Sequence, residues 1–184
     1  MLNYLEQGWG HQFVKAFGMS FSIAIISFVL SIIIGIGATL LASSRIKFAA
    51  AIVKFYTYLF RSLPGILLLL LIFYTADSLI QSLVKFLTGT SDASVSPVVP
   101  AVLSTSIVLG AYATELFKAG WADISAGQHE AGRALGFTRF QSLALIILPQ
   151  IYRKVLPHLG SLWLISMKET ALLSIIGIPD IVRI

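Results

Sequence analysis

The sequence predicts an all-α membrane protein with four transmembrane helices and, between the third and fourth, a polar loop with a defined bend. Three observations lead there. Apolar residues make up 57% of the 184 and charged residues 11%, against about 25% charged in soluble domains. The apolar residues gather into runs longer than the ~20 residues that cross a bilayer core. One polar stretch, Ser125 to Gln150, interrupts them and carries helix start and stop signals. The chain, 1–184, reads as a single transmembrane domain with 125–150 as its loop.

Taken in order, residues 1–15 are polar and aromatic, with Trp9, His11 and Phe13, and suit the membrane interface. Ala16 to Ser44 carries no charge and forms the first span, in which Gly35 and Gly37 permit close approach of another helix. Arg45, Lys47 and Lys54 follow in a short connection. Phe55 to Val84 is the second span, its start broken by Arg61 and Pro64 and its far end marked by Asp77. Thr88 to Pro100 is small, polar and proline-containing, hence mostly exposed loop. Val98 to Leu116 is the third span, rich in small and β-branched residues from Ser104 to Ala113. Beyond its exit at Lys118, Trp121 suits an interfacial anchor. A fourth span runs from about Ile151 to Ile178, interrupted by Pro157 and carrying Lys168 and Glu169 near its middle.

Within the loop, Ser125 and Gln128 have capping-box spacing, so a helix starts at Ala126. Gly136 suits the left-handed residue that ends a helix, because it has no Cβ to clash there. Thr138 and Gln141 repeat the capping box and open a second helix, which Pro149 limits. Ala131, Ala134 and Leu135 share one face of the first helix. Ordinary packing would account for such a face in a soluble protein, but between two spans it needs something outside the bilayer to pack on.

Basic residues set the orientation. Arg45, Lys47 and Lys54 lie between spans one and two, and Lys118, Arg133, Arg139, Arg153 and Lys154 between spans three and four, whereas Lys85 alone borders the remaining loop. The positive-inside bias puts the N-terminus outside and residues 125–150 in the cytoplasm. The net charge of +5 is read the same way, with membrane lipid and not nucleic acid as the partner. With no cysteine there is no disulfide framework. His11, His129 and His158 are scattered, so no metal site is expected. No cleavable signal peptide is apparent, since the first apolar run is too long for one. Neither a phosphate-binding G-x-x-x-x-G-K-[ST] loop nor a G-x-S-x-G or H-E-x-x-H motif occurs, so the chain is not an enzyme, has no catalytic residue and needs no cofactor. Any energy must come from a partner.

The spacing E-A-G-x3-G-x9-I-x-L-P, from Glu130 through Gly136 and Ile146 to Pro149, resembles the EAA loop of bacterial ATP-binding-cassette importer permeases, with Gly132 where alanine is usual. Four further segments are similar to the polar amino-acid branch of that family. They are Tyr56 to Pro64 (YTYLFRSLP), Gly110 to Glu115 leading into Glu130, and Leu159 to Trp163 with Lys168 to Gly177. The wording is closest to permeases for histidine, lysine, arginine and ornithine and for opines. Ser62 departs from the family's glycine after Arg61, and the acidic residue that some relatives carry near Tyr58 is absent.

The resemblance implies a type I importer fold in the bacterial inner membrane. Its partners would be an ATPase dimer, a second permease subunit and a periplasmic or lipid-anchored solute-binding protein. Glu130 would meet a basic group of the ATPase, Ala131, Ala134 and Leu135 would enter its groove, and Gly136 would set the bend, with Gly132 and Pro149 completing the motif. The family has a further span after the Ile-Gly segment, so its last helix is expected to be missing and a truncated fragment is one alternative. An ion-gradient-driven secondary transporter and a non-transporting anchor are the others.

Charge inside a span is costly and marks functional sites. Glu169 pairs with Lys168 or another helix, or lies close to one end of a tilted span, or faces a translocation path where its carboxylate meets a cationic substrate. Tyr58, Ser62, Ser106 and Met167 are further candidates to line that path, and Glu115 is expected at the cytoplasmic interface.

Overall fold

The computed structural model describes residues 9–44, 46–89 and 96–173. Seven α-helices occur among them: α1 (Trp9–Ala42), α2 (Lys47–Ser62), α3 (Gly65–Thr88), α4 (Val98–Ala122), α5 (Ala126–Ala134), α6 (Arg139–Ser142) and α7 (Leu148–Leu172). Residues Leu143–Ile147 join α6 to α7 as a π-helical stretch. Gly10–Ala42, Gly65–Thr88 and Val98–Ala122 are long and apolar enough to cross a membrane. Helix α7 is the fourth long helix, with Arg153, Lys154, Lys168 and Glu169 along its 25 residues. Three of the four expected spans are thus long apolar helices, and α7 occupies the place of the fourth. Arg45 and the segment from Ser174 to Ile184, including the end of the predicted fourth span, lie outside the described residues.

Helix α4 is the centre of the bundle because its side chains are small enough to let four neighbours, α1, α2, α3 and α7, reach it. Ser104, Thr105, Ser106, Gly110, Ala111, Ala113 and Thr114 are all buried. Helices α1 and α4 run parallel. Ser27 Oγ donates to the Val102 carbonyl at 3.4 Å and Thr39 Oγ1 to that of Thr114 at 3.2 Å, both across a separation of 75 residues. Between these bonds the backbones nearly touch: a Cβ on Gly35 would lie 2.6 Å from Ala113 Cβ. Lipid tails give apolar helices no hydrophobic reason to associate, so contact of this kind and interhelical hydrogen bonds hold the bundle. Gly37 has open space around it, so of the two glycines expected to permit close approach only Gly35 does. Helix α7 returns antiparallel to α4. Gly120 meets Val155 and Ile151, and further along Leu109 and Leu162 share a buried cluster. Ser166 Oγ ties α7 to the Ala24 carbonyl of α1 at 3.0 Å.

The connection after the first span is more than a short link. Helix α2 buries Val53 and Thr57 and leaves most of its other residues exposed. Leu63 then turns extended (φ −101°, ψ 152°), as a residue before proline must, and Pro64 caps α3. The break expected at Arg61 and Pro64 thus divides the predicted second span into two separate helices.

Candidate functional site

The loop has a shape fixed mostly by its own backbone. Helix α5 ends in a Schellman motif: Phe137 N–H donates to the Gly132 carbonyl and Gly136 N–H to that of Arg133, each at 3.0 Å. Gly136 has φ +76°, the left-handed conformation expected of it. The Thr138–Gln141 capping box forms in both directions, Thr138 N–H donating to Gln141 Oε1 at 2.9 Å and Gln141 N–H to Thr138 Oγ1 at 3.2 Å. The first expected box does not form. Ser125 occupies the N-cap without a side-chain bond, and Gln128 instead accepts from Gln150 Nε2 at 3.0 Å. A bond across the loop has replaced a local one. Lys154 Nζ adds a second tie, to the Asp123 carbonyl at 3.1 Å and its carboxylate at 3.4 Å.

Pro149 does not limit the second helix. Its missing N–H and its ring would disturb an α-helical ladder, but the preceding turn is widened to π geometry, with Leu148 N–H donating to the Leu143 carbonyl. Helix α6 therefore continues through the π stretch into α7. Such bulges are rare and concentrate at functional sites.

Glu130, Ala131, Ala134 and Leu135 are all exposed, Leu135 at 67% and the neighbouring Phe140 at 77%. Glu130 sits mid-helix, too far from the N-terminus to owe much to the helix dipole. Gly132 faces the other way and is buried: its Cβ would lie 2.9 Å from Ser142 Cβ. Its hydrogen in place of a methyl lets α5 and α6 close on each other, which accounts for glycine where alanine is usual.

The expected path residues are dispersed. Tyr58 and Ser62 are exposed on α2, Tyr58 at 73%. Ser106 is buried and its hydroxyl donates to the Val102 carbonyl within α4. Met167 is half-buried. Among the described residues no hydrogen bond joins any two of these and Glu169. Glu169 is half-buried, its Oε2 fully so, with no hydrogen-bond partner and no ion pair to exposed Lys168 among the described residues. A Cβ on Gly65 would stand 3.8 Å from Glu169 Oε1, so the carboxylate lies against the start of α3.

A polar cluster was missed in the sequence. Arg61 of α2 pairs with Glu115 of α4 at 3.6 Å, and Lys118 pairs with the same carboxylate at 2.8 Å. Arg61 and Glu115 border a cavity of about 390 Å³ shared with His158 and Ser161 of α7. Tyr56 Oη donates to the Ile107 carbonyl and would lie 2.9 Å from a Cβ on Gly110. The Tyr56–Pro64 and Gly110–Glu115 segments are thus one interlocked unit. Opposite charges in two separate motifs were the available signal.

Four long helices packed through small residues, with a stiff polar loop standing out from them, have the build of a multi-pass membrane subunit. Residues 31–183 match the family described as the binding-protein-dependent transport system inner membrane component, and the chain belongs to that family of ATP-binding-cassette permeases. It is 33% identical to the histidine/lysine/arginine/ornithine transport system permease protein HisQ of Escherichia coli (strain K12), over 90% of this chain and 72% of that one. Identity to the octopine transport system permease protein OccQ of Rhizobium meliloti is 30%, over 100% and 77%. Among solved structures, an amino acid ABC transporter crystallised with histidines superposes with a TM-score of 0.77 at 25% identity, covering 99% of this chain and 78% of that one. The MetNI methionine ABC transporter superposes at 0.67 and 18% identity, over 93% and 77%, a likeness of fold. The resemblance to polar amino-acid and opine permeases, and the importer fold it implied, are borne out.

Proposed function

We propose that the chain is the transmembrane subunit of an ATP-driven importer for basic amino acids or opines, providing a translocation path and coupling it to separate ATPase subunits. It pairs with a second permease subunit, with two ATPases and with an external solute-binding protein. Its N-terminus lies outside and residues 125–150 in the cytoplasm. The observation that carries this reading is the bent α5–α6 unit, which presents Glu130, Ala131, Ala134 and Leu135 outward while caps and cross-loop bonds hold its angle. A rigid element of this kind transmits rigid-body motion of a docked partner to the spans. It distinguishes an ATP-coupled permease from a secondary transporter or an anchor, neither of which needs it.

Substrate charge follows from Glu169. A buried carboxylate oxygen with no protein partner is chemistry that a cationic ligand satisfies. Proteoliposomes holding the permease, its ATPase and its binding protein should take up arginine or octopine in an ATP-dependent manner. Glu169→Gln should reduce uptake while leaving ATPase binding unchanged. Uptake that follows an ion gradient without ATP would refute the reading.

A further inference from the structure

Trp121 lines two cavities. One, of about 410 Å³ at the base of the loop, is also lined by Arg133, Arg139 and Ser142. Neither arginine joins an ion pair among the described residues, and Ser142 Oγ is buried with no hydrogen-bond partner there. The other, a groove of about 280 Å³ between α1, α4 and α7, is lined by Leu40, Phe117, Leu148 and Tyr152 and is almost wholly apolar. Trp121 and Tyr152 are the residue types that settle at the lipid–water boundary, and here they lie where the spans give way to the polar loop.

We propose that these two cavities form one site for an anionic phospholipid, with its phosphate between Arg133 and Arg139 and an acyl chain in the groove beyond Trp121. Arginine matches phosphate with paired hydrogen bonds, and basic pockets beside spans hold acidic headgroups. The apolar groove answers the other half of an amphiphile, which a free anion or an acidic protein side chain would leave empty. The site stands on membrane embedding alone and is independent of which solute is carried. A bound lipid would bridge α1 to the base of the coupling loop.

Native mass spectrometry of the purified permease–ATPase complex tests this, with phosphatidylglycerol and phosphatidylcholine of identical acyl chains as probes. Phosphatidylglycerol should be retained over phosphatidylcholine. Arg133→Gln with Arg139→Gln should weaken that retention about tenfold or more, the loss of charged hydrogen bonds. Leu40→Trp, which fills the groove and leaves both arginines intact, should weaken it too. Glycerol 3-phosphate at equal concentration should fail to displace the lipid. Equal retention of the two lipids, or undiminished phosphatidylglycerol on the arginine variant, would overturn the proposal whatever happens to ATPase binding. Displacement by glycerol 3-phosphate would overturn the two-part site.

Discussion

Helix α4 and the loop that follows it are separated only by Asp123 to Ser125, yet opposite means shape them. Helix α4 is defined by what it lacks: side chains small enough that α1 and α7 lie against its backbone at Ala113 and Gly120. The loop is defined by local hydrogen bonds, the Schellman turn at Gly136 and the capping box at Thr138, with most of its surface exposed. Glycine serves both, for different reasons. At Gly110 and Gly35 it admits a neighbour, whereas at Gly136 nothing lies within 4 Å and the backbone angle alone requires it. The bundle is fitted tightly and the loop is set at an angle and left free, as an element that must meet another protein has to be.

This contrast breaks first at the close contacts. Gly110→Leu would drive a side chain into Ile34 and Tyr56, whose atoms lie 2.7 and 2.9 Å from the Cβ position. Overpacking costs about 1–3 kcal/mol or more, so the monodisperse fraction in detergent should fall sharply, with Gly35→Leu behaving alike. Gly37→Leu, in open space, should be tolerated. Next, Gly136→Val forces a β-branched residue to φ +76°, at about 1–2 kcal/mol. The spans should melt as before while ATPase retention drops, and Gly136→Asn, which accepts left-handed geometry, should recover part of it. Thr138→Ala should remove about 1 kcal/mol of cap, detected as faster amide exchange within 138–142 alone. The smallest effect belongs to Arg61→Gln. Its pair with Glu115 is half-exposed and Lys118 remains on the same carboxylate, so the melting shift should correspond to well under ~1 kcal/mol.

Legibility in the sequence followed the range of the interaction. Gly136 and the Thr138–Gln141 box were readable because both ends of each interaction lie within a few residues. Three of the four long helices were readable from apolar length, whereas the separate helix that holds Phe55 to Ser62 was not. The Ser125–Gln128 box failed because Gln150, far along the chain, competes for the same side chain. Pro149 was misread because the π-turn that accommodates it depends on how α6 meets α7. Likewise nothing local says that Gly132 faces Ser142 and not a partner, or that Arg61 reaches Glu115. Which residues line a path was not legible, since spans of one composition face lipid, a neighbour or a path without a sequence mark.

The most direct test of the account is co-purification from detergent with the ATPase encoded nearest to the permease. The native chain would be compared with Glu130→Arg and Leu135→Asp, two exposed positions whose substitution leaves the bundle's packing alone. The account predicts that the native chain holds the ATPase and that both variants lose it while remaining monodisperse. Equal retention by all three would show that the α5–α6 loop is not the coupling element.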